Sequence, residues 1–290
     1  MATDYTQDAN IISWWYFEDA SGNLLDGSAN HNDLTVDNGG TYQDTPHVQG
    51  SYSFKTTQGN YQGGYRTDSD LSSGFPGKSS GGATNNITIG GWFYLASTGM
   101  NQDLMSKYLD GNHHVYRIFH DDANTRFVGC IAPNAPYDYS WTDQASSRTN
   151  ITTGTWYLVV ITLDSSNNLR IYVGADGDTS TTEDGPTSAN ALELGYGGNF
   201  RFGADWYSGA NYDEGFVLTR QLSKSEIDEI LYHGLDGTRR AGVDKALADS
   251  GSGAESMTLD GTQALSESGA GYDLLSVLKN VPIWLYPGEP

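Results

Sequence analysis

The string Glu226-Ile227-Asp228-Glu229 places three carboxylates within four residues. Two carboxyls about 5–5.5 Å apart across a sugar can cleave a glycosidic bond, one as nucleophile and the other as acid and base. A strand delivers that geometry only from alternate residues, because neighbours point to opposite faces. Glu229 falls one position short of Glu-Ile-Asp-x-Glu spacing. The flanking residues predict a helix instead. Ser223 followed by Glu226 is a capping box: the Ser hydroxyl accepts from the Glu226 N–H, and the Glu carboxylate accepts from the Ser223 N–H. Leu222 and Ile227 sit at the staple positions around that cap, and Ile227, Ile230 and Leu231 form one apolar stripe. Gly234 follows where a left-handed C-cap is expected, and His233 suits the negative end of the helix dipole. Each residue of the string therefore has a structural task.

Other groups with chemical potential are sparser. Glu193 in ALELGY stands alone, and Asp213 and Glu214 are neighbours that a strand would point apart. His113 and His114 are adjacent with no third ligand at metal spacing, which favours a polar loop pair. Residues 176–185, DGDTSTTEDG, invite an EF-hand reading, but Thr181 stands where the sharp loop turn requires glycine, so an acidic hairpin loop is expected. Cys130 is the single cysteine, and its strand-like neighbours predict a buried thiol. Aromatic faces suit sugar rings. Tyr137, Tyr139 and Trp141 alternate within a polar loop, and Trp206 and Tyr207 form a second pair. These five are the candidate carbohydrate contacts, although protein interfaces favour the same residue types. Trp14, Trp92 and Trp156 lie in apolar runs and belong to a core.

The elements that must position these groups read as strands. Short apolar runs such as IISWWYF, NITIGGWFYLAS, VYRIF, RFVGCI, ALELGY and YDEGFVL alternate with Gly-, Asn- and Asp-rich turns. TWYLVVITLDSSNNLRIYVG is the clearest hairpin, turning at Asp164 to Asn168. With no helix between the strands, an all-β antiparallel sandwich is expected rather than a parallel sheet. The two sequons, at Asn86 and Asn150, read as turns entering strands. A net charge of −21, from 36 Asp and Glu against 15 Lys and Arg, argues against nucleic acid and anionic lipid as partners. No stretch is long and apolar enough to span a bilayer, and the N-terminus lacks the basic and apolar run of a secretory signal. Beyond residue 238 the composition turns to Gly, Ala and Ser and then to the apolar YDLLSVLKNVPIWLYPGEP. Residues 239–290 are thus expected to be a linker ending in a docking segment, with residues 270–290 contacting the sandwich or a neighbouring chain.

In order, IISWWYFEDASGNLLDGSANHNDL, GSYSF, NITIGGWFYL, DLMSKY, the 164–168 hairpin, LELG and YDEGFVLTRQLSKSEIDEIL resemble the laminin-G-like domains of the concanavalin A-like lectin/glucanase superfamily. The resemblance covers about residues 9–235 and implies a two-sheet jelly roll over residues 1–238 with one short helix near 223–233. Its departures are the insertions around residues 72–85 and 132–149 and the unmatched tail. It also implies calcium, where the N-terminal turn meets the last strand, with Asp19, Asp26, Asn30 and Asp213 at the matching positions. Asp and Asn in turns also bond their own backbone, the competing reading. The fold hosts lectins, adhesion modules, hydrolases and structural parts alike. The expectation is a non-catalytic structural or binding module at a virion surface, a bacteriophage capsid decoration, fibre or tail component made in the host cytoplasm. Its partners would be other virion proteins or itself, and a cell-surface glycan. A soluble calcium-dependent lectin and a glycan hydrolase are the alternatives.

Overall fold

The computed structural model describes residues 2–110, 113–131, 142–146, 148–192, 194, 197–203 and 209–238, with the backbone alone at 109, 110, 113, 114 and 142–145. The chain divides into two units, Met1–Ala248 and Asp249–Pro290, and the second lies wholly outside the described residues.

Two antiparallel sheets form a sandwich. The larger runs, in spatial order, β13 (Thr182–Ser188), β12 (Asn168–Ala175), β11 (Trp156–Leu163), β6 (Ile87–Leu95), β15 (Ala210–Leu218), β4 (Ser53–Lys55) and β3 (Thr41–Gln43), with β1 (Ile11–Trp15) also paired to β15. The other runs β10 (Thr142–Ala145), β9 (Arg126–Ile131), β8 (His113–Asp121), β7 (Gln102–Asp110), β14 (Asn199–Gly203), β5 (Gly63–Arg66) and β2 (Thr35–Asp37).

β11 shows how one strand serves two cores. Tyr157, Val159, Ile161 and Leu163 enter the core between the sheets. Trp156, Leu158 and Val160 point the other way, into a second core under the helix α1 (Lys224–His233). A strand covered on both faces needs apolar residues at both phases of its alternation. The helix closes that second core with Ile227, Ile230 and Leu231. It lies close because β12 offers no side chain at Gly174, where a Cβ would sit 2.7 Å from Leu231 Cδ2. The first and last described stretches meet beside it: the Tyr5 N–H donates to the Leu235 carbonyl at 2.8 Å.

The local signals are present as read. Ser223 accepts from the Glu226 N–H at 3.3 Å and donates its own N–H to Glu226 Oε2 at 2.7 Å. At the tight hairpin, Asp164 Oδ1 accepts the N–H groups of Ser166 and Asn168, both at 2.9 Å. Asn86 and Asn150 both adopt positive φ, as turn residues do. Cys130, Trp92 and Trp156 are buried, and Trp14 is half-buried against the second core.

Four expectations change. His113 and His114, expected as a polar loop pair, open β8 and pair with β7. The described residues of ALELGY are not in a strand; Leu192 is buried from a loop, and the strand forms later as β14. There Phe200 and Phe202 reach Trp15, at ring separations of 5.2 and 5.3 Å, a larger apolar gain than Leu192 and Leu194 supply. The acidic loop at 176–185 is a loop only in its first half; its second half opens β13, a mostly exposed edge strand whose charges disfavour further pairing. Gly234 has φ 75° but ψ 172°, so the cap takes a positive φ without being left-handed helical.

Candidate functional site

The carboxylates of the 226–229 string are all engaged in holding the fold. Glu226 closes the capping box and meets Arg220 at 2.8 Å, and the same guanidinium meets Asp8 at 2.6 Å. Burial works against the charge on Glu226, but Arg220 and the Ser223 N–H prevail and hold its carboxyl below the usual range. Asp228 accepts the Thr181 N–H and hydroxyl, both at 2.7 Å, and pairs with Lys224 at 2.6 Å. Glu229 takes the Thr3 N–H at 2.8 Å and the Tyr5 hydroxyl at 2.8 Å.

The second acidic pair, Asp213-Glu214, lies on β15 and is buried. Asp213 Oδ2 accepts the N–H groups of Val48 and Gln49 at 2.7 and 3.2 Å, and its Oδ1 accepts the Glu214 N–H at 2.9 Å. Glu214 Oε1 accepts the Leu235 N–H at 3.2 Å. Burial, then the neighbouring Glu214 charge, pushes the Asp213 carboxyl well above the usual range. Glu18 secures the other half of the same segment, accepting from Ser51 and Tyr52 at 2.7 and 3.2 Å.

Of the four positions matched to calcium, Asp26 and Asn30 share one loop, and Asp213 is engaged elsewhere. Asp26 is a hub for its own loop: Oδ1 accepts the Trp14 and Ser28 N–H groups at 3.0 and 2.9 Å, and Oδ2 accepts the Ser28 hydroxyl and Asn32 N–H at 2.8 and 2.7 Å. Asn30 turns its amide N–H toward the Ile12 carbonyl at 3.0 Å. The Asp19 carboxylate accepts a long bond from the Leu25 N–H, at 3.4 Å, and Asp213 serves the distant 48–49 segment. Calcium requires six to eight oxygens facing inward. Here the Asp26 oxygens face donor hydrogens, and the Asp213 oxygens accept the N–H groups of Val48, Gln49 and Glu214. Among the described residues no group of three or more His, Cys, Asp or Glu side chains is placed to hold a metal ion. The implied donor set does not fit calcium, because its three carboxylates form no such group among the described residues.

The five aromatic candidates lie outside the described residues, but their anchors are clear. The 132–141 segment, with Tyr137, Tyr139 and Trp141, joins Ile131 of β9 to Thr142 of β10, which pair with each other. The 204–208 segment, with Trp206 and Tyr207, leaves β14 at Gly203. β9 ends in the register of Tyr116 and Lys107, whereas β14 begins there and runs the other way. The two segments therefore leave opposite ends of the seven-stranded sheet.

Beside the first of those ends lies a polar cleft of about 460 Å³, lined by Thr67, Asp68, Ser69, Ser79, Ser80, Gly197 and Asn199. Behind it, Lys107 is fully buried and donates to Asp68 at 2.6 Å and to the Gly198 carbonyl at 2.5 Å. Burial opposes the Asp68 charge, yet Lys107 and Ser79 hold that carboxyl below its usual range. Burial also pulls the Lys107 ammonium down, against the attraction of Asp68. Sequence reasoning missed this cleft. Lys107 in DLMSKY reads as an ordinary outward strand residue, and only the pairing of β7 with β14 brings it to the 197–199 turn.

A family model described as the concanavalin A-like lectin/glucanases superfamily matches residues 66–228. No curated protein matches the chain. Among solved structures, the binding domain of botulinum neurotoxin serotype D is 10% identical, with TM-score 0.54 over 77% of this chain and 51% of that one. The binding domain of Paraclostridial Mosquitocidal Protein 1 is 16% identical, with TM-score 0.54 over 77% of this chain and 52% of that one. Trypanosoma rangeli sialidase in complex with sialic acid is 14% identical, with TM-score 0.51 over 78% of this chain and 33% of that one. The chain thus spans from a third to about half of these solved chains. Likeness at such identities concerns the fold alone.

Proposed function

The chain belongs to the concanavalin A-like lectin/glucanases superfamily, and we propose that it is a non-catalytic binding module that contacts glycans. One observation carries this reading. None of the described strands bears two carboxylates at alternate positions, and the chain's densest carboxylate string caps and anchors a helix. A retaining glycosidase that works through two carboxyls holds them about 5–5.5 Å apart. The acidic neighbours on β15 are buried and occupied with backbone N–H groups. Two similar structures are binding domains of toxins, which accords with a recognition role.

The loop aromatics Tyr137, Tyr139, Trp141, Trp206 and Tyr207 are the proposed sugar contacts. We further propose a virion surface as the setting, with the apolar 270–290 segment holding the module to other virion proteins or to a second copy. The acidic composition and the linker-like 239–269 stretch support display away from nucleic acid and membrane. The full chain on a glycan array, with and without a chelator, tests recognition. Chelator-independent binding is expected, with no reducing sugar released from the bound glycan. Sustained release of reducing sugar would overturn the non-catalytic reading. Mass spectrometry of purified particles from the source tests the setting.

A further inference from the structure

On β14, Phe200 and Phe202 enter the core, so Asn199 and Arg201 lie on the outer face of the seven-stranded sheet. Arg201 pairs across to Tyr65 of β5 on one side and to Ser106 of β7 on the other. Its guanidinium stands 5.0 Å from the Tyr65 ring centre and 5.4 Å from that of Tyr108. Its acidic partner, Asp37, is 4.0 Å away, the longest arginine ion pair among the described residues. Its Nε is buried without a hydrogen-bond partner.

Two other arginines hold their carboxylates more closely. Arg220 meets two carboxylates at 2.6 and 2.8 Å, and Arg148 sits in direct contact with Asp178. In a chain with 36 acids and 15 bases, a guanidinium with spare donors is not short of available carboxylates. Arg201 is instead held by two phenol rings, which fix its plane, and 17% of its side chain is exposed, so a ligand would meet the outer edge of the guanidinium rather than its buried Nε. Two residues along the same face, about 7 Å away by strand geometry, Asn199 lines the polar cleft. That cleft's volume, about 460 Å³, falls within the range of small-ligand sites.

We propose that Arg201 is a specificity-determining residue that binds the carboxylate of an acidic saccharide, with the sugar hydroxyls directed to Asn199 and the serine-lined cleft. This deepens the glycan-binding reading and rests on it. A planar fork of N–H groups matches a carboxylate in two parallel bonds, a geometry a lysine cannot give. Asp37, with 36% of its side chain exposed, is free to swing into solvent as the ligand carboxylate takes its place. The remote negative charge of the protein is screened over about 8 Å at physiological salt, so the local guanidinium decides the selectivity.

The test is titration of the full chain with a panel of uronate- and sialate-terminated oligosaccharides, each beside its methyl ester. The wild type is expected to prefer at least one acid over its ester by about tenfold. Arg201→Gln should abolish that preference while leaving ester binding, and Arg201→Lys should keep only part of it. Asn199→Ala should weaken acid and ester together. Thermal melts of each variant report folding, and Arg201→Lys keeps the test open if Arg201→Gln unfolds. A wild type that binds acids and esters equally, or binds no member of the panel, overturns the proposal. So does a preference that survives in Arg201→Gln. Neutral glycans binding on the array while the panel fails would sink the Arg201 assignment and leave the module reading standing; no glycan binding at all would sink both.

Discussion

The Tyr5 hydroxyl donates to the Glu229 carboxylate at 2.8 Å, across 224 residues of sequence. With the Thr3 N–H on the other oxygen, it pins the start of the chain to the helix. Glu229→Gln should cost about 1 kcal/mol, as should Tyr5→Phe, because each removes one hydrogen bond without emptying a core site. Thr3 and Tyr5 hold the Glu229 carboxyl below its usual range. The contribution is therefore complete above the ordinary carboxylate pKa and is lost as pH falls through the lowered value. Urea denaturation at several pH values checks both size and sign.

Lys107 and Asp68 form a buried ion pair, so breaking it and replacing it are different experiments. Lys107→Met alone leaves a carboxylate beside an apolar chain and should destabilise by about 3–5 kcal/mol. Lys107→Met with Asp68→Asn should recover much of that loss. Chemical denaturation of the two variants and the wild type gives the answer directly.

Asp213 works in the opposite pH direction to Glu229. Its raised carboxyl pKa means that the folded state holds the proton more tightly than the unfolded chain. Stability from this residue is present below the ordinary carboxylate range and declines as pH rises toward the raised value. Asp213→Asn removes the titration but keeps one acceptor. Its melting temperature relative to wild type should therefore climb as pH rises above the ordinary carboxylate range. A constant difference over that rise would show that Asp213 is ionised throughout.

Gly174 and Leu231 are matched in size. Leu231→Ala should cost about 2–5 kcal/mol by leaving a cavity in the second core. Gly174→Ala alone should destabilise as well, since its new methyl would lie 2.7–2.8 Å from both Leu231 methyls. Combined, the two changes relieve the clash, so the double variant should be more stable than the sum of the singles. A double-mutant cycle by thermal melting measures that coupling.

How far the sequence could be read follows from the range of each interaction. The capping box spans three residues, and the Asp164 turn spans four, so both were legible as local chemistry. The apolar runs likewise gave the sandwich. Lys224 is a local partner of Asp228, but Thr181 lies 47 residues from it and Thr3 lies 226 from Glu229, and no local pattern announces those two. NFRFG rather than ALELGY pairs with β7, and its phenylalanines pack on Trp15, a contact that no local pattern announces. Asp26 was expected as a ligand because the family resemblance placed it at a matching position; its loop folds so that donor hydrogens face its oxygens. Arg201 was invisible for a related reason. A lone arginine between phenylalanines becomes notable only when the neighbouring strands supply tyrosines on either side.

The bond between the Tyr5 N–H and the Leu235 carbonyl brings entry and exit of the sandwich together, and a Cβ on Gly237 would lie 2.9 Å from the Thr3 carbonyl oxygen. A fold that begins and finishes at one spot can be grafted into a surface turn of a host protein with both junctions side by side. It would then stand out like a bead on a closed loop, and relocating it between carriers would require neither carrier to reshape its own backbone.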